Sequence, residues 1–101
     1  MNTAHAAIVA HLANGNPELT ELYNRCGFAL DDTTFTVTCK KKDLDTIRTN
    51  WLKLFQFAQA VDAYWVILRT RSQILNRAEV HLALKFHERA SQSSGSKHHD
   101  A

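Results

Sequence analysis

Apolar and polar residues alternate without a break from Thr34 to Cys39. Phe35, Val37 and Cys39 fall on one side of this segment, and three threonines fall on the other. A two-residue period built from β-branched and aromatic side chains predicts a β-strand. We expect the apolar side of the strand to be buried and the threonine side to face water.

The period changes beyond this strand, after three consecutive lysines. Asp43 is a favourable N-cap, because its carboxylate can accept a hydrogen bond from a free backbone amide. Apolar residues then recur at three- and four-residue steps, which predicts one long amphipathic helix over residues 44–61. We expect its largest apolar side chains, Trp51 and Phe55, to contribute most to the core. The apolar stripe consists of Leu44, Ile47, Trp51, Leu54, Phe55 and Ala58.

Two short helices are predicted ahead of the strand. An alanine-rich segment over residues 2–13 forms the first, and Asn16 caps a second that ends at Gly27. Residues 28–30 suit a short strand that folds back through an acidic turn to form a β-hairpin. Together these elements predict an α+β fold in which the long helix packs on a small sheet.

The chain after Val61 allows two interpretations. The run YWVIL over residues 64–68 suits a buried strand, but its period also continues the preceding stripe, so that one helix would extend beyond Asn76. Residues 80–86 alternate like a further strand, which would pair with YWVIL through a turn near Asn76. The same residues also fit a terminal helix. We favour strands in both places.

Composition describes an ordinary globular protein, with 45% hydrophobic and 22% charged residues and a net charge of +2. We expect residues 1–90 to form one domain and the polar segment 91–101 to be a disordered tail. There is no signal-peptide pattern, and no apolar run approaches the roughly 20 residues that a bilayer span needs. The sequence therefore predicts a cytoplasmic protein without a membrane segment. Both cysteines, Cys26 and Cys39, occupy apolar positions and are expected to be buried free thiols.

Four segments follow one another in the order found in a known family. They are NPELTELY at 16–23, LDDTTFTVTC at 30–39, DLDTIRTNWLKLF at 43–55 and WVILRTR at 65–71. This succession resembles the KH-like N-terminal domain of the bacterial replication initiator DnaA and the related domains of the helicase-loading protein DciA. The resemblance implies a KH-like fold with a docking or self-association surface, linked to DNA replication.

Basic residues form the first candidate site. A lysine triplet beside a helix N-terminus suits contact with phosphate groups or nucleic acid, although it is also typical of a solvated strand edge. A nucleic-acid-binding module is therefore the alternative function. Its candidate phosphate-binding residues are Lys40, Lys41, Lys42, Arg48, Arg69 and Arg71.

Aromatic residues form the second candidate site. Tyr64 and Trp65 are adjacent on a predicted strand, where neighbours face opposite sides, so we expect one in the core and the other in a partner interface. No nucleophile motif, glycine-rich phosphate loop or metal-ligand spacing occurs, so we expect no enzyme, metal, cofactor or small-molecule substrate. The leading hypothesis is a non-catalytic adaptor that binds a protein partner or itself, as a homodimer, through the exposed face of its sheet.

Overall fold

The computed structural model describes the backbone of residues 3–100 and the side chains of residues 4–90. Two N-terminal helices precede a β-hairpin, and a helical segment connects that hairpin to a second one. A single turn of 3₁₀-helix, Lys41–Asp43, precedes α3. The elements in chain order are α1 (Thr3–Ala13), α2 (Pro17–Asn24), β1 (Gly27–Asp31), β2 (Thr34–Thr38), α3 (Leu44–Thr49), α4 (Trp51–Ala60), β3 (Trp65–Arg69), β4 (Ile74–Glu79) and α5 (Val80–Asp100).

The four strands form one mixed sheet in the order β1-β2-β3-β4. Both outer pairs are antiparallel, and the central pair, β2 and β3, is parallel. A parallel pair needs a crossover connection, and α3 and α4 provide it. The first hairpin turns tightly at Asp32, which adopts a positive φ of 54°. Aspartate tolerates this conformation better than most residues, so the turn forms without Asn-Gly. The predicted α+β arrangement is confirmed.

One face of the sheet is covered by helices, and we call it the covered face. Alternate residues of the central strands, Phe35, Val37, Val66 and Leu68, are buried there. Helix α5 packs on α4, with the Trp51 and His87 rings 5.8 Å apart. The buried helical residues of this core are Val9, Leu12, Ala13, Leu22, Tyr23, Leu44, Ile47, Leu54, Phe55, Ala58 and Val80.

The amphipathic segment lies where the sequence places it, but Asn50 divides it into α3 and α4. The Asn50 side-chain amide donates to the Thr46 carbonyl at 2.8 Å. Such a side-chain bond competes with the regular backbone ladder. Of the two side chains expected to contribute most to the core, Phe55 is buried, but Trp51 stays half-buried while Tyr23 and Phe35 are completely buried.

The second predicted hairpin exists with a different partner strand. Residues 65–69 form β3 as favoured, which excludes one helix from Asp43 beyond Asn76. However, β4 is Ile74–Glu79, and the predicted strand over residues 80–86 is wrong because these residues begin α5. The chain turns back immediately after β3, where the Thr70 amide donates to the Gln73 carbonyl at 2.9 Å. Residues 91–100 of the predicted disordered tail continue α5, and their side chains lie outside the described residues.

Candidate functional site

Helices do not pack on the second face of the sheet in the part of the chain that the structure describes, and we call this face the open face. Strand alternation and register place the threonines of β2 opposite Trp65, Ile67 and Arg69 of β3. Neither Trp65 nor Ile67 joins the hydrophobic core. The open face consists of Ala29, Asp31, Thr34, Thr36, Thr38, Trp65, Ile67, Arg69, Ile74, Arg77 and Glu79.

The two candidate interface aromatics lie at one end of the open face. Trp65 is half-buried, and the Arg77 guanidinium carbon lies 4.4 Å from the centre of its ring. Tyr64 is 51% exposed, and its ring meets Trp65 edge-on, with centroids 5.7 Å apart. The expectation that one of them enters the core is wrong. Tyr64 precedes β3, so the strict alternation of a strand does not apply to the pair.

A groove opens at the opposite end of the sheet, and we call it the basic groove. Because β2 and β3 are parallel with Thr38 beside Arg69, the segments after both strands leave at the same edge. This geometry brings Lys40 and Lys41 close to the turn that follows Arg69. The groove has a volume of about 870 Å³, and its lining comprises Arg25, Cys26, Gly27, Thr38, Cys39, Lys40, Lys41, Leu44, Thr70, Arg71, Ser72, Gln73 and Leu75.

The structure separates the six predicted phosphate-binding residues. Lys40, Lys41 and Arg71 line the basic groove together, whereas Lys42 is exposed outside it. Arg48 is directed to another part of the molecule, where its Nη2 donates to Asn76 Oδ1 at 2.8 Å. It lines an apolar cavity of about 260 Å³ between the helical crossover and the second hairpin.

Arg69 supports the groove by shaping the turn beside it. Its Nε donates to the Thr70 carbonyl at 3.0 Å, and its Nη2 donates to the Arg71 carbonyl at 3.4 Å. The guanidinium is therefore engaged by the backbone of the turn. We assign Arg69 a structural role in holding the turn that carries Arg71.

One basic residue of the groove was missed by the sequence analysis. Arg25, at the end of α2, donates to both carboxylate oxygens of Asp43, at 3.0 and 3.4 Å. This hydrogen bond raises the pKa of Arg25. Asp43 stands at the N-cap of α3, but its side chain caps no amide, so the predicted capping bond is replaced by an ion pair. The two residues are 18 positions apart, and no local pattern identifies the pair.

The buried titratable groups are poorly suited to nucleophilic chemistry. Cys26 and Cys39 are buried free thiols, as predicted. Burial raises the pKa of Cys26 to about 12 and also raises the pKa of Cys39, so both remain protonated at neutral pH. The Tyr23 hydroxyl is buried without a hydrogen-bond partner among the described residues, and burial raises its pKa to about 12.

No protein-family model, curated protein or solved structure matches this chain. The resemblance to the DnaA and DciA domains therefore stays a prediction. Within the part of the chain that the structure describes, no cluster of three or more histidine, cysteine or acidic side chains could hold a metal ion. No helix in that part is long and apolar enough to cross a bilayer.

Proposed function

We propose that this chain is a non-catalytic docking module that binds a protein partner, or a second copy of itself, through the open face of its sheet. The observation that carries the proposal is the one-sided packing of the sheet, whose opposite surface presents Trp65 and Ile67 outside the core. Large apolar side chains that do not pack internally are typical of interaction surfaces. The resemblance to replication-initiator domains favours a partner that acts in DNA replication.

The chemistry of the open face suits a protein partner. Tryptophan and arginine are enriched at the energetic centres of interfaces, and here Arg77 already lies over the Trp65 ring. Stacking against the indole restrains the guanidinium, which lowers the entropy that a partner must remove. The three threonines of β2, next to Ile67 of β3, present β-branched side chains against which a sheet or an amphipathic helix can pack.

The proposal is tested by placing one charge at the centre of the open face. We expect Ile67→Glu to abolish association, because a partner would have to bury an unpaired carboxylate. Sedimentation velocity over a range of concentrations measures self-association. Quantitative capture from the native cell extract, with wild type and variant as parallel baits, measures partner binding. Unchanged thermal unfolding would show that the substitution leaves the fold intact.

A matched control is available on α5, where Leu82 is 60% exposed. Leu82→Glu makes the same chemical change away from the open face, and it should leave association intact. If Leu82→Glu abolishes association while Ile67→Glu does not, the docking surface is α5 and the proposal is wrong. A protein that stays monomeric and captures no partner sensitive to Ile67→Glu also contradicts it.

A further inference from the structure

The cations around the basic groove differ in how far they are available to a ligand. Arg25 is paired with Asp43, and Arg69 is bonded to the turn carbonyls. By contrast, Lys40, Lys41 and Arg71 are exposed, and their side chains form no hydrogen bond or ion pair with the described residues. Three positively charged side chains without partners in the described part of the chain therefore line one concave surface. Arg25 and Arg69, whose hydrogen bonds are already formed, support the walls of that surface.

The remaining groove lining is mixed, since Leu44, Leu75 and the two cysteines lie beside several polar side chains that suit an oxygen-rich ligand. Thr38, Ser72 and Gln73 contribute hydroxyl and amide groups along the same surface, whereas the Thr70 hydroxyl is already bonded within the turn, where it accepts from the Gln73 backbone amide at 3.3 Å. Lysine, arginine, serine, threonine and glutamine side chains supply most protein contacts to nucleic-acid phosphates and sugars. The combination of free cations and neutral donors matches a phosphodiester backbone better than an apolar ligand.

The size and surroundings of the groove favour a polymer over a small anion or a membrane. All three free cations are exposed, so they form an open track and do not enclose a single anion. Membrane attachment requires apolar side chains beside the basic cluster. Among the exposed large apolar residues Leu30, Tyr64, Ile74, Leu82 and Phe86, only Ile74 adjoins the residues that line the groove.

We infer that the basic groove binds the phosphodiester backbone of a nucleic acid through Lys40, Lys41 and Arg71. This activity goes beyond docking through the open face, since the three cations lie in a groove at the end of the sheet that shares only Thr38 with that face. Lys42 and Arg48 do not take part. Arg69 and Arg25 act by holding the groove walls, and they do not contact phosphate.

The test uses fluorescence anisotropy with short labelled single-stranded and double-stranded DNA and RNA. Three phosphate contacts to a single strand predict an affinity that falls roughly twentyfold when salt rises from about 50 to about 200 mM. The variant Lys40→Ala/Lys41→Ala/Arg71→Ala should lose at least about tenfold in affinity at the lower salt and most of the salt dependence. Its thermal unfolding should be unchanged, because all three side chains are exposed.

The control variant is Lys42→Ala/Lys85→Ala/Arg89→Ala. It also removes two lysines and one arginine, but from exposed positions outside the groove. It should bind like the wild type. Equal loss in both variants would show a diffuse charge effect and overturn the inference. Wild type that binds no nucleic acid at the lower salt, or that binds only anionic phosphatidylserine vesicles, would overturn it as well.

Discussion

The two faces of the sheet are built from the same four strands, yet they have opposite chemistry. On the covered face, Phe35 and Val37 are completely buried beneath helices. The residues directly before them, Thr34 and Thr36, point to the open face and stay partly exposed. Because side chains alternate along a strand, each residue step changes the environment from core to surface. The covered face carries the core of the fold, and the open face lies outside that core.

This comparison also explains why the helices lie on one side. The crossover between parallel β2 and β3 must pass over one face, and it carries the buried residues Leu44, Ile47 and Leu54 there. The N-terminal helices join the same core through Leu12 and Tyr23. The open face has no such apolar complement within the described part of the chain. We therefore expect substitutions on the two faces to separate stability from association.

The largest effect is expected from Phe35→Ala on the covered face. Truncating a completely buried phenylalanine removes its transfer free energy and leaves a cavity, so the free energy of unfolding should fall by about 3–5 kcal/mol. Thr36→Ala, the next residue along β2, should cost less than about 1 kcal/mol. Urea denaturation of both variants measures the difference. Similar losses at the two positions would contradict the division into covered and open faces.

The sequence predicted best those elements whose period fits only one structure. Strict alternation identified β2, and the apolar steps from Leu44 to Ala58 identified the helical crossover. The prediction failed over residues 74–86. Residues 80–86 fit both the two-residue period of a strand and the spacing of a helix. β4 is an edge strand with few buried side chains, so its sequence ILNRAE carries little apolar signal. Alternation in residues 80–86 coincides with the helical spacing of Val80, Ala83 and Leu84, which pack on the core.

The candidate sites could be predicted from the sequence less well than the helices and strands. Lysine clustering was visible in the sequence, but the position of Arg71 depends on the parallel register that sets Thr38 beside Arg69. The contribution of Arg25 depends on a contact with Asp43 across 18 residues. Such assemblies arise from tertiary structure, so local patterns could nominate individual cations but could not group them.

An intermediate effect is expected at Asp43, the one carboxylate that is buried among the described residues. The Asp43 side chain is 8% exposed, whereas the Arg25 side chain is 38% exposed. Arg25→Met leaves a buried charge without its partner, so the free energy of unfolding should fall, but by less than for Phe35→Ala because Arg25 itself is exposed to solvent. Asp43→Ala should cost less, because the released guanidinium can hydrate and no capping bond is lost. Urea denaturation of both variants tests this asymmetry, and a larger loss for Asp43→Ala would contradict it.

The effect that is smallest at neutral pH concerns the two buried thiols, Cys26 and Cys39. The pKa of Cys26 rises from its ordinary value of 9.0 to about 12 on folding, because burial disfavours the thiolate. Between these values the folded state binds more protons than the unfolded state, so stability is full below pH 9 and falls as the pH rises. Cys39, whose pKa burial also raises, should add to the same decline. Urea denaturation from pH 8 to 10.5 should show a shallower decline for Cys26→Ala than for wild type, and an identical decline would mean that the thiol does not titrate with unfolding.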